Sequence, residues 1–329
     1  MRATRSQAAS CSFRSTPASE GLPEIARALS TAKVRVREMA EHRTIPGKVV
    51  AITGGARGIG MATAKALTAR GARVAIGDID DELARKSAEE IGGGTVALHV
   101  DVTDRASFDR FLDGVEEALG PVDVLINNAG IMPTARFIEE DDESIRRQFE
   151  INVFGVMNGM RSAIPRMLEH GDGHVINLAS TAGKFTIPGI STYAATKHAV
   201  VGLTGSVRLE MKDSPIAFSL VMPVIVRTEL TSGVPDTRGV KPLEPEDVAD
   251  SIVEAIETRR YEIWCPRYTS TLNKALTVLP LRATDAVGRL TKTDKGLLDA
   301  IDSPERRDYI ERIESSPISA QLPSSEEDA

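Results

Sequence analysis

A chain of 329 residues with 41% hydrophobic content can bury a sizeable core, either as one large α/β domain or as two smaller ones. Its net charge of −7, with basic residues spread rather than clustered, argues against nucleic acid as a partner, and its apolar runs break well before the ~18 residues a transmembrane helix needs. Two cysteines, Cys11 and Cys265, are too few for a disulfide framework and the five histidines lack metal-ligand spacing, so a cytoplasmic protein without a metal site is expected.

Residues 1–45 read as an extension that is partly disordered. Its first nineteen residues carry Arg2, Arg5 and Arg14, no acid and no apolar core of a secretory signal; a transit peptide, a loose tail and an early start codon all fit that composition. Leu22, Ile25, Leu29, Val36 and Met39 are spaced for a helix, and Pro46-Gly47 marks a boundary. From there apolar runs of strand length alternate with helical stretches. Strands are predicted over Val49–Thr53, Arg73–Asp78, Val96–Val100, Val124–Asn127, His174–Leu178, Ala217–Met222 and Tyr261–Cys265. Helices are predicted over Ile59–Ala69, Asp81–Ile91, Arg105–Leu119, Glu143–His170, Thr192–Lys212 and Pro245–Thr258. This alternation predicts an α/β fold, a Rossmann-like doubly wound parallel sheet of about seven strands with helices on both faces, in a domain covering 46–268. Residues 269–312 continue as amphipathic helix and 313–329 as a Ser/Pro/Glu-rich disordered tail.

The chemistry-bearing residues fall at the predicted strand ends. The first strand runs into Thr53-Gly54-Gly55-Ala56-Arg57-Gly58-Ile59-Gly60 and then a helix, the setting in which a glycine loop brings backbone close to a pyrophosphate. Asp78 ends the second strand, where a carboxylate accepts from ribose hydroxyls and repels a 2′-phosphate. Arg57 would attract that phosphate, while Ile79 supplies no second cation, so NAD is favoured over NADP. Asp101-Val102 and Asn127-Asn128-Ala129-Gly130 follow the next two strands, and Asn152 sits within a long predicted helix, where asparagine is intrinsically poor. Tyr193 and Lys197, four residues apart with Ser180 upstream, share a helix face. An ammonium ~4 Å from the phenol oxygen at an effective dielectric of ~20 would stabilise the phenolate by roughly 4 kcal/mol, bringing the tyrosine toward neutrality as a general base.

Taken together, these motifs closely resemble the short-chain dehydrogenase/reductase family in its compact single-domain branch, over about residues 46–268. The resemblance implies that Tyr193 is the acid/base exchanging a proton with the substrate oxygen as hydride moves to or from nicotinamide. It implies that Lys197 lowers the tyrosine pKa and holds the ribose, that Ser180 steadies the substrate oxygen, and that Asn152 holds a water of the proton relay. Thr53, Gly54, Arg57, Gly58, Ile59, Gly60, Asp78, Asp101, Val102, Asn128, Ala129, Gly130, Pro223, Val226 and Thr228 map onto cofactor contacts. Two departures stand out: Val224 follows Pro223 where the family usually has glycine, and some sixty residues follow Arg267, which weakens a match to acyl-carrier-protein reductases.

By the same analogy Ser180, Ala182, Phe185, Ile187, Tyr193 and Val224 face the substrate, with Ile131, Met132, Pro188, Ile190 and Val234 nearby. This largely apolar set suggests a lipophilic alcohol or carbonyl compound of steroid, retinoid, terpenoid or fatty type. Homodimer or homotetramer assembly through the helices beginning near Glu143 and Thr192 is implied as well. Two other readings stay open: a nucleotide-binding regulator or scaffold without turnover, and a sugar-nucleotide epimerase or dehydratase. The stretch after Thr271 is expected to pack on its own domain, with a pocket cover or a membrane contact as alternatives.

Overall fold

The first strand, β1 (Val49–Thr53), is buried along its whole length, and its side chains alternate between two hydrophobic layers. Val49 and Ala51 face one layer, Val50 and Ile52 the other, as the two-residue period of a strand requires. β2 (Arg73–Asp78), β3 (Val96–His99), β4 (Val124–Asn127), β5 (Gly173–Leu178), β6 (Ile216–Pro223) and β7 (Glu262–Cys265) complete a parallel sheet. The computed structural model describes residues 44–234, 241–280 and 296–315, with 282, 284 and 286 between them. All of them belong to the unit Arg43–Ala329; most of the predicted N-terminal extension and C-terminal tail lies outside the described residues.

Helices α1 (Gly58–Thr68), α2 (Asp81–Ile91) and α7 (Pro245–Thr258) cover the Val50/Ile52 face, contributing Ala64, Leu67, Ala88, Val248, Ile252 and Ile256. On the other face lie α3 (Arg105–Leu119), α5 (Gly155–His170) and α6 (Ser191–Glu210), with Phe108, Phe111, Met160, Met167 and Val200. Helix starts are fixed by side chains that satisfy otherwise unpaired N–H groups. Asp80 accepts from Leu83 N, and Asp104 accepts from Ala106 N and Ser107 N. Glu244 and Asp247 form a reciprocal box with Pro245 at the first helical position.

Strand order is β3-β2-β1-β4-β5-β6-β7, so the winding direction reverses between β1 and β4. In an open parallel sheet the crevice beyond the carboxyl ends at such a reversal is where ligands bind. The predicted helix Glu143–His170 is instead two α-helices, α4 (Asp142–Phe149) and α5, joined by one turn of π-helix over Glu150–Phe154. After β7 come α8 (Tyr268–Thr277), α9 (Gly296–Ala300) and α10 (Pro304–Ser315). No helix among the described residues is long and apolar enough to cross a membrane.

Candidate active site

The glycine loop between β1 and α1 closes on itself so tightly that side chains would not fit. A Cβ on Gly60 would stand 2.2 Å from Gly54 O, and one on Gly54 would stand 2.9 Å from Ala129 Cα. Gly54 and Gly58 also hold φ of 62° and 52°, which glycine adopts without the usual steric cost. Asn128 braces the loop by donating from Nδ2 to the carbonyls of Thr53 and Gly54, both at 2.9 Å. Thr53 Oγ1 in turn accepts from the backbone N–H groups of Asn128 and Ala129. Thr228 approaches Gly58 from the loop after β6, with Cγ2 3.2 Å from where a Cβ would sit. The result is a backbone-lined cradle at a helix N-terminus, sized and polarised for a pyrophosphate.

At the next strand end the buried Asp78 carboxylate accepts from Ala56 N and Asp80 N, both at 3.2 Å. Burial pushes its pKa up, opposed by those two N–H bonds. Arg57 is not the free cation its sequence position suggested, because it pairs with Asp80 at 3.2 Å and with Glu229 at 3.0 Å. Sequence reasoning passed over Asp80, although its place two residues after Asp78 and just before a helix was legible.

Several predicted contacts are structural through their side chains. Asp101 Oδ1 accepts from Thr103 N and Thr103 Oγ1 at 2.9 and 2.7 Å. Val102 packs where Gly155 leaves room, with its carbonyl held by Asn158 Nδ2 at 2.9 Å. Val226 is buried in the α1/α7 core layer, and Ile59, partly buried, packs against it. Phe185 packs against the opposite layer and lies apart from the apolar cluster around Tyr193. Val224 is half-buried and pinned by its N–H to Cys265 O at 2.9 Å, while Pro223 O accepts from Ser180 Oγ and Thr181 Oγ1.

Tyr193, Ser180 and Lys197 do come together. The Ser180 side chain neighbours the phenol and opposes the rise in its pKa, and Lys197 Nζ lies 5.5 Å from the Tyr193 ring centroid while donating to Leu178 O at 2.8 Å. The electrostatics, however, run opposite to the sequence-based expectation. Burial pushes the Tyr193 phenol above its usual range, beyond what the neighbouring Ser180 recovers, and pushes Lys197 down to about 8. A four-residue spacing fixes which face two groups share but says nothing about desolvation, which dominates here.

Asn152 is fully buried in the π-turn. Its Oδ1 accepts from Ile131 N at 2.9 Å, and its Nδ2 donates to Ile131 O at 2.9 Å and Thr196 Oγ1 at 3.1 Å. The side chain thus ties the chain after β4 to α6, between Gly130 and Lys197: a Cβ on Gly130 would lie 3.1 Å from Asn152 Oδ1 and 3.7 Å from Lys197 Nζ. Around the phenol, Met132, Ala182, Ile190 and Leu297 form an apolar cluster with Tyr193, flanked by Ile187, Leu230 and Val234. Leu297 was not anticipated. Among the described residues no group of His, Cys, Asp and Glu is arranged to hold a metal.

The cradle, the polar strand ends and the Ser-Tyr-Lys group occupy the stretch that a family model described as short chain dehydrogenase matches, residues 48–239. This chain belongs to the short-chain dehydrogenase/reductase family. It is an oxidoreductase fold with a nicotinamide-cofactor crevice, and its relatives carry matching names. A sorbitol dehydrogenase of Cereibacter sphaeroides is 41% identical over 191 residues, covering 58% of this chain and 75% of that protein. A 3-alpha-(or 20-beta)-hydroxysteroid dehydrogenase of Mycobacterium tuberculosis is 36% identical over 211 residues, 63% of this chain and 81% of the relative. The crystal structure of a Burkholderia phymatum member in complex with NAD superposes with a TM-score of 0.64 at 28% identity, covering 70% of this chain and 92% of that one. Helices α9 and α10 lie beyond the residues the family model matches.

Proposed function

We propose that this protein is an NAD-dependent dehydrogenase/reductase interconverting a secondary alcohol and its ketone, with a largely apolar substrate body. The observation that carries the reading is the Tyr193 phenol, set beside Ser180 and Lys197 and walled by Met132, Ala182, Ile190 and Leu297. A bound nicotinamide supplies the hydride acceptor or donor. Tyr193 gives or takes the proton at the substrate oxygen, and Ser180 steadies that oxygen as charge develops on it. Lys197 has three donors and spends one on Leu178 O, which leaves others for ribose hydroxyls. Asn152 positions Lys197's surroundings through its bonds to Ile131 and Thr196, and its Oδ1, which accepts only from Ile131 N, keeps an acceptor for a water of the proton relay.

The preference for NAD is supported by two carboxylates, Asp78 and Asp80, at the ribose end, the second of which occupies Arg57. A hydroxysteroid dehydrogenase among the relatives agrees with the apolar wall, whereas the sorbitol relative marks the competing polyol chemistry. Homodimer or homotetramer assembly fits the exposed Phe154, Leu168 and Leu209 on the helical faces. The test is a panel of alcohols and ketones with NAD and NADP, read at the nicotinamide absorbance, on wild type and Tyr193→Phe. Turnover of lipophilic secondary alcohols with NAD, lost in Tyr193→Phe with NADH binding retained, is expected. Activity confined to sugars or small charged hydroxy acids would sink the substrate class, and turnover by Tyr193→Phe would sink the proton carrier.

A further inference from the structure

We propose that the C-terminal segment 296–315 is the outer wall of the substrate site, with Leu297 setting how bulky a substrate is accepted and Arg306 positioning that wall. The inference rests on the alcohol-ketone reading above and names a specificity determinant beyond the residues the family model matches.

Leu297 is buried in the same apolar cluster as the Tyr193 ring, together with Met132, Ala182 and Ile190. Its backbone lies so close to the turn before α6 that a Cβ on Gly189 would sit 3.4 Å from Leu297 C and Cβ. A second close approach occurs at the loop after β6, where a Cβ on Gly233 would stand 2.4 Å from Ser303 Oγ. The segment is therefore fitted to both sides of the mouth.

Arg306 explains why it stays there. This guanidinium has no exposed surface, a rare state for arginine. Nε donates to Thr134 Oγ1 at 3.2 Å, Nη2 to Met132 O at 2.5 Å, and Nη1 to Leu230 O at 2.8 Å and Ser232 O at 3.4 Å. Its partners thus come from the chain after β4 and from the loop after β6, the two rims of the crevice. The guanidinium also stacks 4.7 Å over the Tyr309 ring, and Tyr309 Oη accepts from Met132 N at 3.0 Å. Burial of Arg306 lowers its pKa without removing its charge, and Tyr309 adds to the upward push on the Tyr193 phenol, as expected of a neighbour in one site. A tail lying loosely over the surface would not direct a fully buried cation at four backbone and hydroxyl oxygens of the rim.

Leu297 is thus the side chain a substrate body meets opposite the reacting oxygen, and removing its isobutyl group should admit bulk. The experiment measures NAD-linked oxidation of isopropanol, cyclohexanol and menthol by full-length wild type, Leu297→Ala, Leu297→Phe and Arg306→Met, with NADH affinity as the check on folding. The kcat/KM ratio of menthol to isopropanol should rise about tenfold in Leu297→Ala and fall in Leu297→Phe, since hydrophobic-pocket changes of this size discriminate on that order. Arg306→Met should move the ratio in the same direction as Leu297→Ala, with NADH affinity within about twofold of wild type. An unchanged ratio in both Leu297 variants, with NADH binding intact, overturns the inference. Should no alcohol be turned over, the dehydrogenase reading fails separately, and binding of anilinonaphthalene sulfonate to the NAD-saturated protein decides. Tighter binding in Leu297→Ala and weaker binding in Leu297→Phe support the wall, and equal binding in all three overturns it.

Discussion

Lys197→Met isolates the cost of burying an amine beside the phenol. Its pKa falls from 10.5 to about 8 through burial, a gap equivalent to about 3.4 kcal/mol of disfavoured ammonium. The sign follows from proton counting: between about pH 8 and 10.5 the unfolded chain keeps a proton that the folded chain has released, so stability rises with pH across that window. Below it both states are protonated and the penalty is constant. Between pH 7 and pH 9 wild type should therefore gain about 1.3 kcal/mol relative to Lys197→Met. The variant also orphans the Leu178 carbonyl that Lys197 holds at 2.8 Å, a pH-independent offset of about 1–3 kcal/mol. Tyr193, raised by burial, acts in the opposite sense only near and above its ordinary value of 10, which sets the upper limit of the comparison. Urea melts of the two cofactor-free proteins, followed by the fluorescence of the buried and single Trp264, give the difference directly. Parallel pH profiles would show that Lys197 is not desolvated in the folded protein and would refute the reasoning.

Gly60→Ala should weaken NADH binding by more than about tenfold while the protein still folds, because overpacking costs about 1–3 kcal/mol and its Cβ would meet Gly54 O at 2.2 Å; fluorescence titration with NADH checks it. Asp78→Asn should raise the NADP-to-NAD ratio of kcat/KM by about tenfold, since the carboxylate that repels a 2′-phosphate is removed and one side-chain acceptor remains for Ala56 N or Asp80 N. Asn152→Ala should lower stability by about 2–4 kcal/mol, leaving Ile131 N and O without their partner in the buried π-turn, as read by urea melts with and without NADH. Glu229→Gln should change stability by under about 1 kcal/mol, because its pairs with Arg57 and Arg312 are surface pairs; a larger loss in a thermal melt would contradict this.

Much of the sheet was legible because its strands carry nearly continuous apolar runs and the helices between them carry apolar residues at helical spacing. The cradle was legible for a related reason: Gly54, Gly58 and Gly60 stand where only close backbone approach accounts for them. Desolvation was not legible, and it reverses the expected pKa of Tyr193. Nor was the assignment of side chains within apolar loops: Phe185 and Ile187 look alike in sequence, yet one packs under the sheet and the other beside the phenol. Arg306 is the plainest failure. In a helix rich in Arg and Glu it reads as one more solvated charge, and only the arrival of Met132, Thr134 and Leu230 from distant segments makes it a buried tie.

The π-turn at Glu150–Phe154 also decides what a change in length would cost this part of the chain. A π-turn holds about one residue more than an α-turn, so a single deletion between 150 and 154 would restore regular winding with α4 and α5 close to their present rotation about the axis. The widened turn that carries Asn152 to Ile131 and Thr196 would be lost, while Val156, Met160 and Met167 would keep their places in the core. A one-residue deletion within residues 150 to 154 should therefore leave the packing of α4 and α5 in place and cost the site its Asn152 ties.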